Sequence, residues 1–98
     1  MLVKMKILYI SATPFGRFYF DEITHRGVAI SDRRDPVTLT MKEGYRPVPS
    51  DPGFREYETD QAVFDRLLAA ADKRNRKIAM EIIGQYFPET LGIDQSLP

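Results

Sequence analysis

The side chains with the clearest potential for chemistry are one histidine with acids close by and one dense run of basic residues. His25 is the single histidine, and Asp21 and Glu22 lie just before it. A histidine held by a carboxylate can act as a general base, but it then needs a nucleophile to activate. The residues Thr24-His25-Arg26-Gly27 are instead typical of an exposed turn, where acids are common for backbone reasons. We therefore predict no catalytic residues and a protein that is not an enzyme.

Metal and cofactor sites are not indicated by the sequence. The chain has no cysteine, which excludes disulfides and cysteine-based zinc sites. It also has no calcium-loop pattern of alternating acids and no paired histidines. The segment from Lys6 to Pro14 begins like a strand that runs into a phosphate-binding turn, but the single Gly16 that follows does not make a cradle. We predict that the protein uses neither a metal nor a cofactor.

The basic run from Lys73 to Lys77 holds four positive charges in five residues, the densest positive charge in the chain. Asp72 and Glu81 flank this run but do not neutralise it. Such a run is usually a solvated helix junction. The run becomes part of a binding patch if Arg33 and Arg34, which we place in an earlier turn of the chain, lie on the same side of the fold. The candidate partner-binding residues of this group are Lys73, Arg74, Arg76, Lys77, Arg33 and Arg34.

A second group of candidate residues comes from the proline-rich segment 44–58. This segment has no apolar period, and we predict that it is an extended connecting loop. Tyrosine and arginine are residue types that often carry the energy of an interface. We therefore add Tyr45, Arg46, Phe54 and Tyr57 to the candidate partner-binding residues.

Two functions of different kinds fit these residues. The first is a small non-catalytic binding or regulatory protein, for example an inhibitor of the kind carried by phages or mobile elements, that contacts an acidic surface of another protein. The alternative is a nucleic-acid-binding module that places the Lys73–Lys77 run on phosphates. The chain has 14 basic and 14 acidic residues, and a zero net charge argues against a dedicated nucleic-acid binder. We favour the protein partner and leave the oligomeric state open.

Membrane association is not expected. The apolar run Ile7–Ile10 is too short for the core of a signal peptide, and no stretch of the sequence is apolar enough to span a bilayer. Together with the lack of cysteine, these features predict a cytoplasmic protein.

The elements that must position these residues form one α+β domain over residues 1–98. Apolar and β-branched residues predict a small antiparallel sheet of about four short strands within residues 3–42. Val37, Leu39 and Met41 alternate with polar residues, which predicts that their side of the sheet is buried. Residues 60–87 carry apolar side chains at helical spacing and should cover that one face. Residues 88–98 form a C-terminal tail.

One long kinked helix or two helices can account for residues 60–87. The apolar stripe of the second half is rotated by roughly 70° from that of the first half. A single straight helix would also turn Arg74 and Asn75 toward the core. We favour two helices with a break between Asp72 and Asn75, the second helix ending before Pro88. Ile82 is expected at the centre of the core.

Overall fold

A computed structural model describes residues 8–12, 16–31, 33–45, 47–51 and 53–90 of the chain. The strands are β1 (Leu8–Ala12), β2 (Gly16–Asp21), β3 (Arg26–Ser31), β4 (Val37–Thr40) and β5 (Arg55–Tyr57). The helices are α1 (Gln61–Asp72) and α2 (Arg76–Tyr86). Neighbouring strands are antiparallel, and their order in the sheet is β4-β3-β2-β1-β5. The predicted α+β fold class is confirmed.

Strand β5 lies within the segment 44–58, which the sequence predicts to be a loop. Its three residues pair with β1, so that Tyr57 lies opposite Leu8 and Arg55 lies opposite Ile10. A strand this short shows no readable alternation of apolar side chains. Its place in the sheet depends on main-chain hydrogen bonds to β1, which leave no pattern in the sequence. The loop prediction therefore needs correction for residues 55–57.

The break between the helices has a simple backbone cause. The amides of Lys73, Arg74 and Asn75 bond back to carbonyls in the last turn of α1. Arg74 has a φ of 54°, in the left-handed region where helices commonly end. Asn75 Oδ1 then accepts a hydrogen bond of 3.1 Å from the Ile78 amide and caps α2. The preferred prediction of two helices is confirmed, and α2 ends just before Phe87 and Pro88.

The core lies between the two helices and one face of the sheet, which we call the helix face. Tyr19 and Val28 are register partners on this face, and neither has exposed surface. They pack in one cluster with Phe64 and Leu67 of α1 and with apolar residues of α2. Within α2, Ile83 is 0% exposed and Ile82 is 7% exposed. Ile82 belongs to the buried core cluster, as the sequence predicts, and Ile83 is buried more fully.

Strand β4 has the opposite register to the one that the sequence predicts. Thr38 Oγ1 donates a hydrogen bond of 2.7 Å to Asp72 Oδ1, so Thr38 lies on the helix face. Strand alternation then places Val37 and Leu39 on the other face of the sheet, which we call the reverse face. Leu39 is 41% exposed there. The prediction that Val37, Leu39 and Met41 face the helices is wrong, because the reverse face is also apolar and receives them.

The residues that follow α2 lie along the core. Thr90 is fully buried, and its hydroxyl lies 2.9 Å from the hydroxyl of Tyr19. The Thr90 carbonyl also accepts a hydrogen bond of 3.0 Å from Arg17 Nε. Arg17 is 4% exposed, and a buried guanidinium needs polar partners of this kind. Residues 91–98 of the predicted tail and residues 3–7 of the predicted sheet region lie outside the described residues.

Replacing Ile83 by Ala should lower the free energy of unfolding by about 2–5 kcal/mol, because it removes fully buried methyl groups from the core. Ile82→Ala should cost less, since Ile82 lines an open groove between α1 and α2. Ile78→Ala is the matched control and should be nearly neutral, because Ile78 is 42% exposed. Urea unfolding of the three variants measures these differences. An equal loss for Ile82→Ala and Ile83→Ala would contradict this description of the core.

Candidate functional site

The basic residues of two distant segments meet at one end of the sheet. Arg33 and Arg34 lie in the loop between β3 and β4, and Arg74 lies in the turn between α1 and α2. All three are exposed and line the same cavity of about 790 Å³. We call this the arginine cavity. The sequence left open whether these arginines share one side of the fold, and the structure brings them together.

The floor of the arginine cavity is apolar. Phe18, Ala29 and Val37 are register partners across β2, β3 and β4, and each is half-buried on the reverse face. They form a continuous row across three strands, with Gly16 and Ser31 as the next pair along. The cavity therefore offers an apolar surface about three strands wide with cationic side chains at its rim.

Arg76 holds the two basic segments against each other. Its Nη1 donates to the carbonyl of Ser31 and, at 3.1 Å, to the carbonyl of Arg34. A guanidinium is well suited to this bridging because its donors are fixed in a rigid plane. These bonds tie the β3–β4 loop to the first turn of α2. Arg76 therefore positions Arg33 and Arg34 relative to Arg74. Lys73 and Lys77 are also exposed, and Lys73 lines the groove between α1 and α2.

The charge of the cavity is strongly positive for a chain with no net charge. The described lining includes Arg17, Arg33, Arg34 and Arg74, but a single carboxylate, that of Asp35. Among the described residues, no carboxylate lies within 4.0 Å of the guanidinium groups of Arg33, Arg34 and Arg74. An anionic group that entered the cavity would therefore meet guanidinium groups with free donors.

The acid that precedes the basic run is already engaged elsewhere. Asp72 accepts the hydrogen bond from Thr38 and lies 3.8 Å from the guanidinium of Arg26. Both contacts direct its carboxylate toward β3 and β4. Asp72 therefore stabilises the docking of α1 on the sheet and does not offset the charge of Lys73 and Arg74.

An aromatic cluster continues the apolar floor along the reverse face. The ring of Tyr45 meets Phe20 edge to face with centroids 5.2 Å apart and meets Phe18 at 6.4 Å. Phe20 is fully buried by this cover, although it points away from the helices. The ring of Phe18 lies over Gly27, where a Cβ atom would come within 2.6 Å of the ring. The absence of a side chain at Gly27 therefore leaves room for the ring of Phe18.

The structure separates the candidate residues of the segment 44–58. Tyr45 lies on the reverse face, whereas Tyr57 packs edge to face on Phe87 at 5.3 Å, on the helix face. Phe54, which lies between these two tyrosines in the sequence, is half-buried. Arg46 lies outside the described residues. Tyr45 is therefore the residue of this group that lies beside the arginine cavity.

Asp21, one of the acids near the histidine, is engaged by its own turn and by α1. The buried carboxylate of Asp21 accepts hydrogen bonds from the Ile23 amide at 2.8 Å and the Thr24 hydroxyl at 2.8 Å. Gln61 Nε2 also donates to it at 3.3 Å. Asp21 thus organises the β2–β3 turn. His25 lies in that turn with a φ of 59°, but it is half-buried against Phe20 and not exposed as the sequence predicts, because the aromatic cluster extends to it.

The parts of the chain that the structure describes contain no group of three or more histidine or acidic residues placed to hold a metal ion. None of their helices is both long and apolar enough to cross a membrane. No family model, curated protein or solved structure shows significant similarity to the chain.

Tyr57→Phe should lower stability slightly at neutral pH and remove two pH-dependent contributions. Tyr57 donates a hydrogen bond of 2.5 Å to Glu89, and burial together with this bond raises the pKa of Tyr57 to about 12. The stabilising effect of the protonated Tyr57 hydroxyl is thus complete below pH 10 and is lost as the pH rises from 10 to 12. The same bond lowers the pKa of Glu89, so the contribution of Glu89 is complete above its ordinary value of 4.5 and is lost as the pH falls from 4.5 through the lower pKa of the folded state.

The measurement is urea unfolding of the wild type and Tyr57→Phe at a series of pH values. The stability difference should be constant near neutral pH and should shrink at both extremes. Glu89→Gln is the control, because it keeps an acceptor for Tyr57 but removes the acid-side titration. A difference that does not change with pH would show that the bond contributes nothing.

Proposed function

We propose that this chain is a small non-catalytic binding protein of the cytoplasm, and that it regulates another protein by occupying an acidic surface of it through the arginine cavity. The observation that carries the proposal is the convergence of Arg33 and Arg34 with Arg74 around the row Phe18, Ala29 and Val37. Basic side chains from separate segments surround an apolar floor. A partner that offers a carboxylate beside an apolar side chain would complement both the basic rim and the apolar floor of the cavity.

The placement of the basic residues supports a role in binding more than a role in stability. Lys77 is exposed in the first turn of α2, where the positive end of the helix dipole disfavours cations. Arg33, Arg34 and Arg74 gather like charges with no carboxylate at ion-pair distance among the described residues. An arrangement of this kind carries a small energetic cost in the free protein. An acidic partner would remove that cost on binding.

The apolar floor favours a protein partner over a nucleic acid. Proteins that bind single strands offer exposed aromatic faces on which bases stack. Here Phe20 has no exposed surface, and Phe18 is a half-buried ring in an edge contact with Tyr45 at 6.4 Å, so the described cavity lining offers one partly covered aromatic ring. The zero net charge of the chain also disfavours contacts with many phosphates. Nucleic-acid binding is therefore the alternative, and it is an outcome of the test below.

The test compares Arg33→Glu/Arg34→Glu with Arg55→Glu/Arg66→Glu, which makes the same change in net charge at exposed arginines that do not line the cavity. Each protein is used to capture partners from nuclease-treated extract of the source organism. We expect the wild type and the control to retain the same protein, and the Arg33/Arg34 variant to retain at least about tenfold less, equivalent to 1.4 kcal/mol or more.

Circular dichroism and thermal melting of all three proteins exclude misfolding as the cause of the loss. Equal capture by the two double variants would overturn the proposal. Two results together would favour the nucleic-acid-binding alternative. Capture would depend on nucleic acid, and oligonucleotide affinity would fall by ~0.9 log units per log unit of salt for each phosphate contact.

A further inference from the structure

The outer edge of β4 presents main-chain groups that are available to a further strand. The Met41 amide donates to the His25 carbonyl at 2.7 Å, and the register places Leu39 opposite Gly27 and Val37 opposite Ala29. Hydrogen-bonding direction alternates along an antiparallel strand, so residues 37, 39 and 41 bond to β3. The N–H and C=O groups of Thr38 and Thr40 therefore point away from the sheet.

This edge lacks most of the features that protect edge strands. Natural edges are usually interrupted by charged residues or bulges, or covered by other segments. Residues 37–40 carry no charge, and Leu39 is 41% exposed beside the edge. Among the described residues, no main-chain or side-chain hydrogen bond reaches the outward groups of Thr38 and Thr40. Pro36, directly before β4, is the one protective residue, and it limits the free edge to β4 itself.

The edge and the arginine cavity are continuous. Val37 ends the apolar row of the cavity floor at β4, the edge strand. Arg33 and Arg34 lie just before β4 in the chain and therefore flank its N-terminal end. A strand added to β4 would extend the apolar row by one position. Its side chains at the N-terminal end of β4 would lie next to these arginines.

We propose that the partner contributes an extended acidic segment that pairs with β4 as a sixth, antiparallel strand. Its alternate apolar side chains would pack beside Val37 and Leu39, and its C-terminal carboxylates would meet Arg33 and Arg34. The antiparallel direction follows the rest of the sheet, and it brings the end of the added strand to the start of β4. Charge complementarity selects an acidic occupant. This inference rests on the proposed function and specifies how its partner is recognised.

The probe for this inference is the labelled peptide Ser-Val-Thr-Leu-Thr-Val-Asp-Glu-Glu, which alternates apolar and polar residues and ends in acids. We expect fluorescence anisotropy to show binding to the wild type. At saturation, the hydrogen exchange of the Thr38 and Thr40 amides should slow at least about tenfold, because their outward N–H groups become bonded. A peptide N-methylated at alternate edge-facing residues should bind at least about tenfold more weakly.

Two variants of the protein complete the test. Thr40→Pro removes an outward N–H without removing a bond to β3, so it should weaken peptide binding at least about tenfold. Thr40→Val is the matched control, since it keeps the N–H, and it should bind as the wild type does. Arg33→Glu/Arg34→Glu should also bind weakly, because it removes the charge complementarity.

The outcomes separate this inference from the proposed function. Binding that is lost in Arg33→Glu/Arg34→Glu but is unaffected by Thr40→Pro and by N-methylation would overturn strand addition and leave the cavity as an acidic-partner site. Equal binding by the arginine variant would count against the proposed function as well. Strand addition would be overturned if the wild type did not bind the peptide. It would also be overturned, in favour of pairing between two copies of the chain, if the exchange protection of Thr38 and Thr40 rose with protein concentration in the absence of peptide.

Discussion

The run of three aromatic residues in β2 constrains the rest of the structure. Side chains alternate between the faces of a strand, so helices on one face can bury Tyr19 but not Phe18 or Phe20. The reverse face must therefore provide a second apolar environment. Tyr45 covers Phe20, Gly27 admits the ring of Phe18, and the apolar residues of β4 turn to this side. The apolar floor of the arginine cavity is the part of this environment that the described residues leave partly uncovered.

The turn between the helices decides what surrounds that floor. Because Arg74 adopts a left-handed conformation and Asn75 caps α2, the second helix starts close to the end of β3. Arg76 is then within reach of the carbonyls of Ser31 and Arg34. One guanidinium thus joins a loop of the sheet to a helix more than forty residues later in the chain. The same turn both completes the core and concentrates positive charge at the end of the sheet.

Three features that favour recognition of another protein occur together on one side of the molecule. They are a positively charged rim, an apolar row on the reverse face and a strand edge that pairs with none of the described strands. Charge accelerates and selects an encounter, while apolar contact and main-chain hydrogen bonds hold the complex. The opposite side is used differently, because Tyr57, Phe87 and Thr90 pack there to close the core. The helix face therefore closes the core, and the proposed binding function depends on the reverse face and the adjoining edge of the sheet.

The sequence by itself determined the features that depend on local physics. Helical spacing gave the two helices, and the shift of the apolar stripe together with Asn75 and Pro88 gave their ends. The strands β2 to β4 followed from residue type and turns. The tertiary structure decided three other features. The first is β5, which is held by main-chain pairing, and the second is the register of β4, since both faces of the sheet are apolar. The third is the meeting of Arg33 and Arg34 with Arg74. Each depends on contacts between distant segments, and no local pattern of residues encodes such contacts.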